Sequence, residues 1–307
     1  MRVTTSDRTF LCVSGRLRRV GASLLVGIVV LGAPVAADAP SFGRTRPDVV
    51  GVPFTRDVGS QPATADAPTA AADIASMAPL PGGGGWQRPA AKVNRLVLLG
   101  DSLAQEVTPY LQFLTPGKTF VPKFWGGTAP CDWSTIDLEA TRSSVVVISF
   151  TGNSLTPCMA DGAGGYLDDE ALVDRYREDV GTLIDRARRA GARVVLVGQP
   201  RRAASFDDDA EVDGLTELYR SFARSFPFVS FVDAGATVEA PDGSFTDRLP
   251  CTGFDTDCAA DGSTVVRGDG VHFCPHEDTN PCDVWSSGAF RFGLAIAGAA
   301  NRPQSYE

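Results

Sequence analysis

Leu96-Val97-Leu98-Leu99-Gly100-Asp101-Ser102-Leu103 is the stretch on which the fold turns. Four unbroken apolar residues ending at a glycine read as a short strand buried on both faces, as strands of parallel sheets are. The glycine allows a tight turn, and Ser102 then stands at the start of the next helix. There its own N–H points toward any oxyanion formed at its hydroxyl. Alone, Gly-Asp-Ser is ordinary turn chemistry.

The same strand form returns at 145–150 and 194–197, with weaker versions at 119–124 and 228–232. Helical patterns lie between them. The clearest spans 168–190, with apolar residues at Leu172, Val173, Tyr176, Val180, Leu183, Ile184 and Ala187. Asp168, Asp169 and Glu170 open it, and Arg186, Arg188 and Arg189 close it before Gly191, charges that complement the helix dipole at each end. Strands alternating with helices imply right-handed crossovers and a parallel sheet covered on both faces. The expected fold is a flavodoxin-like three-layer α/β/α sandwich with a parallel sheet of about five strands. Ligands in such sheets bind beyond the carboxyl ends of the strands. That rule singles out the positions after Leu99, Phe124 and Phe150.

Each of those positions carries something usable. After the first strand stands Ser102. After the second comes Trp125-Gly126-Gly127-Thr128, a bare backbone whose N–H groups can approach a ligand. After the third comes Thr151-Gly152-Asn153, whose amide can donate to the same oxyanion. Near the C-terminus, Asp269-Gly270-Val271-His272 puts a carboxylate three residues before an imidazole. The chain has two histidines, His272 and His276, so one of them must serve any serine nucleophile as its base. His276 has no acid at the matching offset; His272 does.

Four weak motifs in this order resemble the SGNH/GDSL hydrolases, over roughly residues 93–300. The resemblance implies a serine esterase with Ser102 as nucleophile and Asp269 and His272 completing the triad. It implies an oxyanion hole formed by the Ser102 N–H, Gly127 and Asn153, with Gly126 the other candidate in the second block. The third block reads Thr151-Gly152-Asn153-Ser154, where the family usually has Gly-x-Asn-Asp. The Gly-Gly-Thr-Ala-Pro-Cys segment is similar to SGNH domains fused to bacterial membrane acyltransferases. The implied substrates are small O-acyl groups on a small molecule or cell-surface polysaccharide, either hydrolysed or transferred, with a membrane acyltransferase as a partner. No cofactor and no metal is assigned. An α/β-hydrolase is rejected, because in that fold several strands precede the serine and the acid lies far upstream of the histidine.

The first third of the chain has another texture. Five arginines and one acid precede an uncharged run from Val20 to Ala33 and then Pro34-Val35-Ala36-Ala37, the layout of a secretory signal over 1–37. Residues 38–92 are rich in Ala, Pro, Thr, Asp and Gly without an apolar period, and read as a linker to a hydrolase domain over 93–302. Loss of 1–37 takes the formal charge from −9 to −13, which repels phosphate backbones and excludes nucleic acid as a partner. Export also puts Cys131, Cys158, Cys251, Cys258, Cys274 and Cys282 in an oxidising compartment, secreted or cell-surface. Local closure suggests Cys251–Cys258 and Cys274–Cys282, which leaves Cys131 for Cys158. Rivals from another class are a metal-binding module built on His272, His276, Asp269, Cys274 and Cys282, and a non-catalytic carbohydrate-binding domain. Acidic loops at Asp207-Asp208-Asp209 and Asp255-x-Asp257 are further cation candidates.

Overall fold

A computed structural model describes residues 92–206, 209–276, 282 and 284–302. The expected export segment, all but the last residue of the expected linker, and Asp207 and Asp208 lie outside the described residues. Five parallel strands form the main sheet: β1 (Arg95–Gly100), β2 (Thr119–Phe124), β3 (Ser144–Ser149), β4 (Arg193–Val197) and β5 (Val229–Val232). Their order is β2-β1-β3-β4-β5. Four helices accompany them: α1 (Ser102–Leu114), α2 (Asp169–Arg189), α3 (Asp209–Ser225) and α4 (Ser287–Asn301). The expected sandwich and strand count hold, with boundaries shifted by a residue or two.

The unbroken apolar runs are explained by the period of two along a strand. Leu96 and Leu98 face one side with Val145, Val147, Val195 and Val197, under α1 and α4. Val97 and Leu99 face the other with Val146, Ile148, Val194 and Leu196, under α2 and α3. Since every one of these side chains is buried, truncation of Leu98 to Ala costs about 2–5 kcal/mol. The α2 stripe read from sequence is what packs: Leu172, Tyr176, Val180, Leu183, Ile184 and Ala187 are all buried.

Gly100 closes β1 where no side chain fits. A Cβ there would stand 2.3 Å from the Ala104 Cβ and 2.4 Å from the Ser149 carbonyl oxygen. Strand and following helix therefore approach each other closely, and β3 passes alongside. The strand order reverses between β1 and β3, so the loops after these two strands flank the crevice where such sheets take ligands.

A short antiparallel pair, β6 (Arg248–Pro250) and β7 (Ser263–Val265), leads into Arg267, Gly268 and Asp269. Three disulfides join Cys131 to Cys158, Cys251 to Cys258 and Cys274 to Cys282, the pairing suggested by local closure. Among the described residues no helix is long and apolar enough to cross a membrane.

Candidate active site

Asp101 sets the geometry around Ser102. As N-cap of α1, its Oδ1 accepts the Leu103 N–H at 3.1 Å, which fixes the helix start and so the place of Ser102. Its Oδ2 accepts the Thr151 N–H at 2.6 Å, the Thr151 hydroxyl at 2.7 Å and Asn153 Nδ2 at 3.0 Å. The register Gly100 opposite Ser149 is what sets these two loops side by side. Asp101 is fully buried, and burial pushes its pKa up against the lowering effect of the Thr151 and Leu103 bonds. One carboxylate thus joins the start of α1 to the loop after β3. Removing it would leave buried donors unmatched at about 1–3 kcal/mol each.

Asn153 is held without the acid that usually follows it in the SGNH block. Its Nδ2 lies within reach of Asp101 Oδ2, of the Thr128 carbonyl at 3.3 Å and of Thr151 Oγ1 at 3.4 Å. Its own carbonyl accepts the Tyr176 hydroxyl at 3.1 Å. An oxyanion would therefore compete with the longer of these contacts for an Nδ2 proton.

In the second block, a turn is closed by the Thr128 N–H on the Trp125 carbonyl at 3.2 Å. Gly127 sits at φ 76°, the left-handed region where glycine costs nothing, and a Cβ there would enter open space. A Cβ on Gly126 would instead stand 3.7 Å from the Ser102 Cβ. Gly126 lies against Ser102, and Gly127 lets the turn close.

The Asp269-to-His272 loop supplies the other half. Asp269 Oδ1 accepts the N–H groups of Val271 at 2.8 Å and His272 at 2.6 Å, so the loop folds around its own carboxylate. Gly270, at φ 86°, makes the bend, and its carbonyl accepts the Ala203 N–H at 3.0 Å. Asp269 Oδ2 lies 2.7 Å from His272 Nδ1, and His272 Nε2 lies 2.9 Å from Ser102 Oγ. With Nδ1 donating to the carboxylate, Nε2 is left to accept from the serine hydroxyl. Burial alone would raise the Asp269 pKa, but the bonds from the His272 ring and the two backbone N–H groups outweigh it and hold it below the usual range. Both side chains remain over a third exposed, so the site is open to solvent. His276 is exposed beyond it.

The four blocks therefore converge. The five-stranded parallel sheet and the block order agree with the fold expected from the resemblance to SGNH/GDSL hydrolases. Residues 131–277 match a family model described as "Protein of unknown function (DUF459)". No curated protein matches the chain. Similar solved structures include a GDSL-like lipase of Bacteroides thetaiotaomicron, at 13% identity over 70% of this chain and 91% of that one, TM-score 0.43. The catalytic domain of peptidoglycan O-acetyltransferase A of Streptococcus pneumoniae aligns at 17% identity over 68% and 93%, TM-score 0.41. Acetylxylan esterase Axe2 of Geobacillus stearothermophilus, as a catalytic mutant, aligns at 14% over 67% and 93%, TM-score 0.40. Likenesses this distant leave activity and substrate to be read from the site itself.

The rival metal arrangement is not assembled. Cys274 and Cys282 are spent in a disulfide, and the His272 ring is engaged by Asp269 and Ser102. Oδ2 of Asp255 accepts the Thr252 N–H and hydroxyl and meets Arg291 at 2.9 Å, while Asp209 pairs with Arg201 at 3.1 Å. Among the described residues the one cluster with metal-ligand spacing is Cys131, Asp132 and Cys158, and its two sulfurs are bonded to each other. Of the aromatics near the motifs, Trp133 donates to Thr128 and packs on the core and Phe273 is fully buried, whereas Trp125 is 71% exposed beside Gly126.

The Cys131–Cys158 bridge links the loops after β2 and β3. Asp132 reinforces it, accepting the Thr156 hydroxyl at 2.8 Å and the Ala129 N–H at 2.9 Å. Replacing both cysteines with Ala is expected to cost about 3–4 kcal/mol, from the chain entropy of a loop closed over 27 residues. Urea unfolding of the variant checks this; an unchanged midpoint would show that the bridge does not constrain the unfolded chain.

Proposed function

We propose that the chain is an exported serine esterase acting on small O-acyl groups of a carbohydrate or cell-surface polymer. The observation that carries this is the line Asp269–His272–Ser102, with contacts of 2.7 and 2.9 Å. Ser102 Oγ attacks the acyl carbon while His272 Nε2 takes its proton, and the carbonyl electron pair moves onto oxygen. The tetrahedral intermediate collapses by expelling the alcohol, to which His272 returns the proton. Water then attacks the acyl-serine by the same steps in reverse, releasing the acid and Ser102. The Ser102 N–H, the Asn153 amide and the glycine turn at 126–127 are the donors for the oxyanion. The open surface around His272 and the exposed Trp125 support a bulky acyl carrier such as a polysaccharide. Export rests on the basic, apolar and small-residue succession over 1–37.

Treatment with a fluorophosphonate, followed by peptide mapping, tests the reading directly. A single adduct at Ser102, with hydrolysis of 4-nitrophenyl acetate blocked in parallel, is expected; an unreacted Ser102 would sink it. Asn153→Ala is expected to lower turnover on the same ester by about 10²–10³ with KM nearly unchanged, because a donor aimed at developing charge acts mostly in the transition state. Turnover within about twofold of the wild type would remove Asn153 from the oxyanion hole.

A further inference from the structure

Helix α1 begins with Ser102, and its residues 106 and 110 follow at intervals of four, on the same stripe of its surface. Glu106 is the one acid in this helix, yet it is only 8% exposed among Leu103, Ala104 and Val107. Buried carboxylates are costly unless donors meet them. Glu106 Oε2 accepts the backbone N–H of Phe273, the residue after His272, at 2.6 Å. The Phe273 carbonyl accepts the Ser286 hydroxyl at 2.6 Å, and the Ser286 N–H donates to the Tyr110 hydroxyl at 2.7 Å. Both backbone groups of Phe273 are thus tied, directly or through Ser286, to the helix that starts at the nucleophile. Its ring is fully buried against Phe292, 4.9 Å between centroids, so Phe273 is fixed on every side while His272 projects toward solvent.

We propose that Glu106 is a positioning residue, which registers Phe273, and through it the His272 ring, against Ser102. The inference rests on the esterase reading for its catalytic consequence but not for its structural content. The remaining contacts to this loop explain why one anchor matters. Among the described residues Asp269 bonds within its own turn, to Val271 and His272, contacts that do not set that turn's distance from α1. The buried Arg267 reaches the Gly270 carbonyl only at 3.4 Å, and the Ala203 N–H, from the loop after β4, donates to the same carbonyl. Among the described hydrogen bonds to residues 269–273, apart from the His272–Ser102 contact itself, the Glu106 bond is the one that comes from α1. The chemistry requires an acceptor with the reach of a Glu side chain, a requirement that Gln also meets.

The test compares Glu106→Leu, Glu106→Gln and Glu106→Asp in the full-length protein. The readouts are the inactivation rate by a fluorophosphonate, kcat and KM for 4-nitrophenyl acetate, and the NMR signal of the His272 Nδ1 proton. With two histidines in the chain, a His276→Gln background assigns that signal. Glu106→Leu is expected to lower inactivation rate and kcat by about 10- to 100-fold with KM nearly unchanged, since displacement of a base by about 1 Å has that effect. Glu106→Gln, which can still accept from Phe273, should recover to within about threefold of the wild type and retain the proton signal. Should Glu106→Leu fail to fold, Glu106→Asp decides: the charge remains but the reach is short by a methylene, so the rates should still fall. Wild-type rates in a folded Leu or Asp variant would overturn the proposal, as would a Gln variant as impaired as Leu. If wild-type Ser102 itself does not react, the esterase reading falls alone. The His272 signal then decides: lost in Glu106→Leu and kept in Glu106→Gln supports the positioning role, and unchanged in both overturns it.

Discussion

Ser102→Ala and His272→Ala are each expected to lower turnover on 4-nitrophenyl acetate by on the order of 10⁶, and the double variant should be little worse than either. The two side chains act as a unit across one 2.9 Å contact. A serine hydroxyl without its base is a weak nucleophile, and the imidazole has no other nucleophile to activate. Residual activity in all three variants would come from the oxyanion donors and binding alone. His276→Ala should remain close to wild type, because that ring is exposed outside the constellation. Rates for the three variants and the His276 control, measured at equal folded concentration, check this. Losses that multiply in the double variant would show that Ser102 and His272 act independently, and a dead His276→Ala would reassign the base.

Asp269→Asn is the second large effect, about 10⁴ in turnover. The substitution isolates one role of this carboxylate from the other. Asn Oδ1 can still accept the Val271 and His272 N–H groups, so the loop should keep its shape. The other terminal atom, which now faces His272 Nδ1 at 2.7 Å, becomes a donor. A donor there favours the tautomer with the proton on Nε2, which cannot accept from Ser102. Asp269→Ala loses both roles and leaves room for a water to orient the ring, so its effect is less sharply defined. The acid limb follows from the direction of the Asp269 shift. Its pKa is lowered, so the carboxylate stays ionised until the pH has fallen below the ordinary aspartate range. Activity lost at milder acidity is therefore not due to protonation of Asp269. Circular dichroism of Asp269→Asn should match the wild type; a disordered loop or full activity would each defeat the argument.

What was legible in the sequence divides along a physical line. Unbroken apolar runs such as 96–99 and 145–148 report burial on both faces of a strand, and that alone specifies a covered parallel sheet. The Asp269–His272 pair was legible because its geometry is local, set within three residues. Asp101 was not: its partners Thr151 and Asn153 are 50 and 52 residues away and meet it only because β1 lies beside β3. Glu106 left one trace, an acid within a turn of Leu103, Ala104 and Val107, but its partner Phe273 lies 167 residues on. The two glycines of the second block are indistinguishable in composition. Only backbone conformation separates Gly126, beside Ser102, from Gly127, in the left-handed region.

The openness around His272 bears on the fate of an acyl group once it is attached to Ser102. With the imidazole and its carboxylate both more than a third exposed, the proposed acyl-serine would be attacked by bulk water from the same side as by an incoming alcohol. Under that mechanism, partition between hydrolysis and transfer would be decided by the acceptor, not by the enzyme's walls. A sugar hydroxyl would win only if the molecule carrying it were broad enough to roof the mouth and shed the solvent there. The lifetime of the proposed acyl-enzyme would thus become a property of what is docked over it.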